Sequence, residues 1–255
     1  MNGAEKIAIV GLGNLGWNLT RGLHQSGFHI TQIIARNQED NQRFSAKVGA
    51  TLAPDIDALD NSADIIFLCL PDDALPEVAS KINREAVIVH CSGSTPLLTS
   101  HKKSGVLYPF QTFTKFIPVE WKGIPIFIES DDPGLRSSLI SIAENLSGNA
   151  KEVNRNQRQA IHISGVYGAN FVNHVLFMAK EVLDKERLTF DVLSPLIHET
   201  VRKAFKHGPH SSQTGPARRN DEKVIAKHLA VLEDDKKLQT FYELFSNSIK
   251  NTYRS

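Results

Sequence analysis

Short apolar runs alternate with amphipathic segments along the first 153 residues of the chain. This alternation predicts a doubly wound α/β domain, in which helices cover both faces of a parallel sheet. The run of residues 65–70 is apolar throughout, which is typical of a strand buried on both faces. The predicted strands cover residues 6–10, 29–35, 64–70, 86–90, 105–108, 125–128 and 151–153, and a helix covers 133–146.

The pattern changes at residue 154, after which only helices are predicted. They cover residues 156–184, 189–206, 222–233 and 236–250. The chain is therefore divided into an α/β domain of residues 1–153 and an all-helical domain of residues 154–255. The first of these helices is apolar almost all round, which predicts burial in a core or between subunits. Gly165 and Gly168 within it indicate close approach by another backbone, and a homodimer is expected.

The first strand leads directly into a GxGxxG motif and then into a helical segment. Gly11 permits a tight turn, Gly13 lets the backbone approach a pyrophosphate, and Gly16 lets helix and strand pack closely. The amide groups at the start of the helix then hold the phosphates. In this turn the residues predicted to bind a dinucleotide are Gly11, Gly13, Asn14, Leu15 and Gly16.

The end of the second predicted strand distinguishes between the two nicotinamide dinucleotides. An NAD-binding chain places an acidic residue there, about 20 residues beyond the glycine motif, but this chain has Arg36 and Asn37. An arginine binds the 2′-phosphate of NADP through charge-assisted hydrogen bonds. The cofactor predicted is therefore NADP, with a solvated surface arginine as the alternative. An S-adenosylmethionine methyltransferase would also place an acid here, and this disfavours that class.

Ligands of open parallel sheets bind beyond the carboxyl ends of the strands. The segments that follow the predicted strands therefore supply further candidates. Those for the cofactor are Leu70, Pro71 and Ser92, and those for the substrate are His90, Ser94 and Gln111. The alternatives are structural: residues 71–73 cap a helix, and Thr95 caps another helix that starts at Pro96.

Polar residues interrupt the apolar helix predicted at 156–184. At about 100° per residue, His162, Val166, Asn170 and Asn173 share one stripe. We interpret His162 as the proton donor of a reaction at a nicotinamide, because imidazole titrates near neutral pH, and the two asparagines as groups that orient the substrate. An internal hydrogen-bond network is the alternative.

A long polar segment, residues 207–220, separates two of the predicted helices. Arg218 and its neighbour Arg219 are suited to binding a carboxylate or phosphate, so an anionic small-molecule substrate is predicted, with solvated surface residues as the alternative. His207 and His210 have no nearby carboxylate or cysteine to complete a metal site, and no metal is predicted.

Composition narrows the class of protein. The 255 residues are 41% hydrophobic and 22% charged, with a net charge of +1, which gives no reason to expect nucleic acid or a membrane surface as a partner. Two cysteines exclude a disulfide framework and favour the cytoplasm. Neither a signal peptide nor a membrane-spanning run is predicted.

The motifs taken together resemble a family of Rossmann-like NADP oxidoreductases whose second half is a domain of unknown function, number 2520. The resemblance rests on the glycine motif and on residues 90–94, 108–113, 169–174 and 214–221. This family is similar to pyrroline-5-carboxylate reductases, ketopantoate reductases and β-hydroxyacid dehydrogenases. The resemblance implies NADP, an oxidoreductase fold and a dimerising helical domain.

One departure from the β-hydroxyacid enzymes affects the mechanism. Those relatives have a lysine four residues before an asparagine on the corresponding helix, whereas this chain has Val166 and Ala169 at the possible positions. Either His162 replaces the lysine, or the reaction differs, or there is none. The function predicted is therefore an NADP(H)-dependent reductase of a small carbonyl or imine compound. The alternative is a catalytically silent NADP(H)-binding sensor or assembly protein.

Overall fold

The computed structural model describes residues 5–36, 38–60 and 62–253. Contacts divide the chain into two compact units, the first ending at Asn170 and the second beginning at Phe171. The boundary predicted from periodicity lies between residues 153 and 154. The two divisions rest on different properties, so the earlier boundary stays a prediction.

An eight-stranded sheet forms the centre of the first unit. Its strands are β1 (Lys6–Val10), β2 (His29–Ile34), β3 (Thr51–Ala53), β4 (Ile65–Leu68), β5 (Val87–His90), β6 (Lys103–Pro109), β7 (Ile126–Glu129) and β8 (Ala150–Glu152). They lie in the order β3-β2-β1-β4-β5-β6-β7-β8. Strands β6 and β7 pair in antiparallel, whereas the other neighbouring pairs are parallel. The doubly wound α/β prediction is confirmed, but its entirely parallel sheet is wrong at β6 and β7.

Five helices accompany the sheet: α1 (Asn14–Gln25), α2 (Glu39–Val48), α3 (Leu75–Ser80), α4 (Pro133–Ser147) and α5 (Arg155–Gly165). Local sequence fixes the start of α5, because Asn154 accepts a hydrogen bond from the Gln157 amide and the Gln157 side chain accepts one from the Asn154 amide, both at 2.9 Å. This reciprocal capping box satisfies two of the amide groups that a helix start leaves unpaired. Helix α5 therefore begins at a defined residue.

The core lies on both faces of the sheet. Along β1, Ile7 and Ile9 belong to one buried cluster, and Ala8 and Val10 belong to the other. Successive side chains of a strand point to opposite faces, so a run that is apolar at every position needs cover on both sides. The strand order reverses between β1 and β4, the point at which doubly wound sheets bind their ligands.

The second unit consists of helices, as predicted. They are α6 (Val172–Lys185), α7 (Ser194–His207), α8 (Pro209–Ser212), α9 (Glu222–Val231) and α10 (Lys236–Tyr253). The short α8 lies in the segment predicted as a loop. None of the helices in the described ranges combines the length and apolarity that crossing a membrane would require.

The helix predicted at 156–184 is formed by α5, a π-helical turn at Val166–Phe171 and α6. Its apolar side chains are largely exposed: Tyr167 by 67%, Phe171 by 50% and Phe177 by 49%. The expectation that this chain's own core buries the helix is therefore wrong. Periodicity shows that such a face needs cover, but it does not show what covers it.

Candidate active site

The glycine-rich turn follows β1 at the reversal point of the sheet. Gly11 has a φ of +99°, and a Cβ added to it would lie 2.5 Å from the carbonyl oxygen of Cys69. A Cβ on Gly16 would lie 2.0 Å from the carbonyl oxygen of Gly11. A Cβ on Gly13, in contrast, would meet nothing within 4 Å. Two of the glycines therefore permit close packing, while Gly13 faces open space.

The start of α1 has no side-chain cap, since Gly13 occupies the capping position. The first amide groups of an α-helix have no partner inside the helix, and together with the helix dipole they favour an anion. Asn14 lies at this start with its side chain turned to the β6–β7 loop, where its Oδ1 accepts a hydrogen bond of 3.0 Å from the Lys115 amide. Leu15 is partly buried and packs against the core. An uncapped helix start beside open space at Gly13 fits the diphosphate of a dinucleotide.

Arg36 lies two residues beyond the end of β2 and is exposed. No carboxylate of a described residue lies within ion-pair distance of its guanidinium. The Asn41 side chain fixes the backbone here by donating a 2.8 Å hydrogen bond to the Arg36 carbonyl. Asn37, the neighbouring candidate, lies outside the described residues. An exposed guanidinium next to the switch point fits a cofactor that carries a 2′-phosphate.

His90 ends β5 and is only 1% exposed. Its Nδ1 accepts a hydrogen bond from the Ser92 amide at 3.2 Å, so Nε2 carries the proton and donates to the Pro96 carbonyl at 3.1 Å. Burial lowers the pKa of His90 to about 4, so the ring is neutral at physiological pH. Both nitrogens are used inside the protein, which leaves neither for the predicted contact with substrate.

No helix begins at Pro96, so the expectation that Thr95 caps one is wrong. The Ser92 hydroxyl instead accepts hydrogen bonds from the amides of Ser94 and Thr95, at 3.1 and 2.8 Å. Residues 92–95 form a compact turn because a serine side chain competes well for nearby backbone donors. Ser92, predicted to contact the cofactor, and Ser94, predicted to contact the substrate, both lie on this turn.

Arg158 of α5 holds the same turn and was missed by sequence reasoning. Its side chain is fully buried, and its guanidinium donates to the carbonyls of Ser92 and Thr95 at 2.9 and 2.8 Å. Its Nε donates to a Glu129 carboxylate oxygen at 2.8 Å. Arg158 precedes His162 by one helical turn, so extending the predicted stripe backwards would have found it.

His162 lies beside the turn and forms a hydrogen bond with Tyr108 of β6. The Tyr108 hydroxyl oxygen and His162 Nδ1 are 3.0 Å apart. Burial raises the pKa of the Tyr108 phenol above its ordinary value, so the phenol keeps its proton at neutral pH. Gly93 completes the fit, because a Cβ there would lie 2.4 Å from His162 Nδ1 and 2.8 Å from Tyr108 Cζ.

The segment after β4 approaches the turn from the other side. Ser94 donates a hydrogen bond to the Asp72 carboxylate. Burial alone would raise the pKa of Asp72, but hydrogen bonds from three hydroxyl groups of residues 92–95 outweigh it and lower the pKa. The preceding Leu70 is partly buried and Pro71 is exposed; a Leu70 methyl carbon lies 3.0 Å from where a Cβ on Gly11 would stand. Leu70 therefore borders the glycine turn, and Pro71 follows it in the sequence.

Cys69 and Cys91 directly follow the neighbouring strands β4 and β5. Two causes raise the pKa of Cys91 well above its ordinary value: a hydrogen bond with Cys69, which is the larger, and burial. The Cys91 thiol therefore stays protonated. The described residues also contain no cluster of three or more histidine, cysteine, aspartate or glutamate side chains that could hold a metal.

The remaining predicted site residues are exposed. Gln111 uses its side-chain oxygen locally, accepting a 2.9 Å hydrogen bond from the Thr112 amide. Asn170 lies in the π-helical turn at the end of the first unit. A π-helix bonds residue i to i+5, so a stripe drawn at α-helical spacing does not continue through it. In the second unit Asn173 is exposed, and the Arg218 guanidinium lies 4.3 Å from the ring centre of Tyr253.

Comparison with known families matches both halves of the chain. Residues 6–93 match the family described as NADP oxidoreductase, coenzyme F420-dependent. Residues 124–249 match the domain of unknown function 2520. A search among curated proteins finds no match.

Solved structures of similar fold cover nearly the whole chain. A "putative NADP oxidoreductase" from Bacteroides fragilis is 37% identical, with a TM-score of 0.89 over 97% of this chain and 98% of that one. A protein from Thermotoga maritima is 22% identical, with a TM-score of 0.80 over 98% and 100%. An imine reductase from Myxococcus stipitatus, in complex with NADP+, is 14% identical, with a TM-score of 0.73 over 97% and 93%.

The first of these relatives is similar enough over its full length to show the family, and the more distant two show the fold. NADP is the cofactor of that family, in agreement with the prediction made from the glycine motif and from the missing acid after β2. The chain belongs to the NADP oxidoreductases in which a Rossmann-type domain precedes a domain of unknown function 2520.

Proposed function

We propose that this protein is an NADP(H)-dependent reductase of a small carbonyl or imine compound. The observation that carries the proposal is the hydrogen-bonded pair of Tyr108 and His162, held at the carboxyl ends of the strands in a chain of this family. Bound NADPH supplies a hydride, and the protein supplies position and a proton. The relatives support a reductase, since they include an imine reductase and, from Aspergillus terreus, a reductive aminase.

The cofactor is held by the residues around the reversal point of the sheet. The amides that open α1 bind the diphosphate across Gly13, and Arg36 binds the 2′-phosphate, with Asn37 beside it in the sequence. Leu70, Pro71 and Ser92 follow β4 and β5 and line the remainder of the cofactor site. Nothing in the fold or in the comparisons supports the alternative of a silent sensor.

His162 is the proton donor in this proposal, and Tyr108 is its positioning partner. The phenol keeps its proton, and its hydroxyl is hydrogen-bonded to Nδ1, which leaves Nε2 as the second ring nitrogen of His162. Nε2 makes no hydrogen bond to any described residue and is therefore the nitrogen that exchanges a proton with substrate. In the balanced reaction, hydride adds to the carbon of a C=O or C=N bond and this proton adds to the oxygen or nitrogen.

The substrate proposed is small and anionic. Ser94 and Gln111 lie on the loops that follow β5 and β6, and Asn170, Asn173 and Arg218 are the polar candidates of the helical part, taken as residues 154–255. Arg218 supplies the charge for a carboxylate or phosphate. We place the reaction in the cytoplasm, where the two unpaired cysteines stay reduced.

We also propose a homodimer that covers the exposed apolar side chains of α6 and α7. Val172, Val175 and Phe177 are 43%, 41% and 49% exposed, and Leu196 and Phe205 are 64% and 91% exposed. Large apolar side chains exposed in this number indicate an interaction site. Light scattering on the purified protein should give twice the chain mass, and a monomer at micromolar concentration would contradict the dimer.

Oxidation of NADPH in the presence of a panel of keto acids and cyclic imines tests the reductase. We expect turnover with at least one compound, and His162→Ala should reduce it by roughly 10²–10⁴-fold while NADPH affinity is unchanged. Tyr108→Phe should give a smaller loss, because the imidazole remains. His24→Ala, on the exposed end of α1, is the matched control and should have no effect. Unchanged turnover in His162→Ala would remove His162 from the mechanism, and tight NADPH binding without oxidation across the panel would overturn the reductase.

A further inference from the structure

The connection between β6 and β7 contains a turn held in an uncommon conformation. Residues 114–117 form it, with the Ile117 amide donating to the Thr114 carbonyl at 3.2 Å. Phe116, the second central residue, has a φ of +68°. A positive φ at this position is usually supplied by glycine or asparagine, and a bulky residue that adopts it is strained. Such strain persists where surrounding contacts enforce it, often in segments that clamp a ligand.

The contacts that enforce the turn tie it to both ends of the proposed cofactor site. The Lys115 amide donates to Asn14 Oδ1 at 3.0 Å, at the start of α1. The Lys115 ammonium donates to Asn41 Oδ1 at 3.0 Å, in the first turn of α2. Asn41 is 4% exposed, and its amide nitrogen donates to the Arg36 carbonyl at 2.8 Å. One buried side chain therefore links the Lys115 ammonium to the backbone of Arg36.

Neither the Lys115 ammonium nor the Arg36 guanidinium forms an ion pair with a carboxylate of the described residues. Glu39, the acidic residue closest to Arg36 in the sequence, forms an ion pair with Arg43. An ammonium has three N–H donors, and Asn41 uses one of those on Lys115. The Phe116 ring, 4.9 Å from the ammonium, packs edge-on against Trp17 and so holds the lysine stem in place. A fixed ammonium with unused donors, linked through Asn41 to the backbone of the exposed Arg36, suits a dianionic phosphate monoester.

We infer that Lys115 is a second specificity-determining residue for NADP, which binds the 2′-phosphate together with Arg36. The strained turn thus adds a cation from a loop distant in sequence from the β2–α2 segment. This inference rests on the proposed function, because it requires that the nucleotide lie across the glycine turn.

Binding of NADPH, of NADH and of the fragment 2′,5′-ADP, measured by calorimetry, tests it without any turnover assay. Lys115→Met should weaken NADPH and 2′,5′-ADP by about tenfold and leave NADH within about twofold, as expected for one charge-assisted hydrogen bond. Lys115→Arg keeps the charge and should restore most of the affinity. Lys122→Met, an exposed lysine of the same connection, is the control and should bind all three like the wild type.

The outcomes separate this inference from the proposed function. Selective loss for the phosphorylated nucleotides supports it, whereas unchanged affinity, or equal loss for NADPH and NADH, overturns it. If Arg36→Ala removes the preference for NADPH and Lys115→Met does not, the role of Lys115 fails and the reductase stands. If the wild-type protein binds neither dinucleotide, both fail.

Discussion

Two polar segments of the molecule each carry one of the predicted substrate contacts, Ser94 and Arg218, and they are held in opposite ways. Residues 92–95 are fixed by hydrogen bonds to two buried side chains, His90 and Arg158. The charge of Arg158 is balanced by an ion pair with Glu129. Residues 213–221 are exposed or partly buried, and Ala217 is the buried residue among them. The first segment is therefore held by buried side chains from other elements, whereas the second is held by backbone hydrogen bonds of its own turns, such as that from the Asp221 amide to the Pro216 carbonyl at 2.9 Å.

The comparison matters because buried polar groups act strongly in both directions. When satisfied they fix a single conformation, and when a partner is removed they are costly. Substitutions in the first segment should therefore change stability and activity together. In the second segment they should affect only local contacts.

The largest effect is expected at Arg158. Arg158→Met should lower the free energy of unfolding by about 3–5 kcal/mol, because it leaves the Glu129 carboxylate and two carbonyls without their buried donor. Denaturant titration measures the loss. Arg202→Met removes an exposed ion pair of the second unit and should cause no measurable change. A small loss in Arg158→Met would show that the 92–95 turn is not held from α5.

The next effect is a dependence of stability on pH. The pKa of His90 is about 4 in the folded chain and 6.5 when unperturbed, so the unfolded state binds more protons between these values. Stability should therefore fall as the pH is lowered from 6.5 towards 4, by up to about 3 kcal/mol. His90→Gln should flatten this part of the profile, measured by thermal unfolding across the range. A variant that keeps the wild-type slope would contradict a buried neutral imidazole.

A smaller effect distinguishes two glycines of the same motif. Gly16→Ala should cost about 1–3 kcal/mol, because its Cβ would overlap the Gly11 carbonyl oxygen. Gly13→Ala should leave stability within about 0.5 kcal/mol and weaken NADPH, because its Cβ enters open space where the diphosphate is expected. Paired unfolding and binding measurements test both variants. Equal loss of stability in the two would contradict an open cradle at Gly13.

The smallest effect is expected in the exposed segment. Asp221 caps α9 by accepting a hydrogen bond of 3.2 Å from the Val224 amide, and Asp221→Ala should cost about 1 kcal/mol. Arg218→Ala should leave the unfolding transition unchanged, since its guanidinium only covers the Tyr253 ring. Thermal melts resolve the difference. A large loss in Arg218→Ala would mean that the segment is as firmly built as residues 92–95.

The fold was largely predictable because β4 is an unbroken apolar run and because β1, β5 and β7 each contain an apolar run of at least three residues. The strand Thr51–Ala53 was missed, since three residues are too few to show a period. Strand direction at β6 and β7 is not encoded in periodicity. The site was harder to predict, because Tyr108 and His162 are distant in sequence and only the folded sheet brings them together. The π-helical turn at Val166–Phe171 also broke the stripe that was to align Asn170 and Asn173 with His162.

The reversed direction of β7 explains where the Lys115 turn comes from. If β7 were parallel to β6, the connection would have to return from the carboxyl end of β6 to the opposite end of the sheet, usually through a helix. Because β7 is antiparallel to β6, the connection of residues 110–125 begins and ends at the same end of the sheet. The change of direction between β6 and β7, which β8 keeps, thus replaces a crossover helix with a connection at the end of the sheet that carries the glycine turn. The exposed side chains of its turn at residues 114–117 can change without altering the buried sheet.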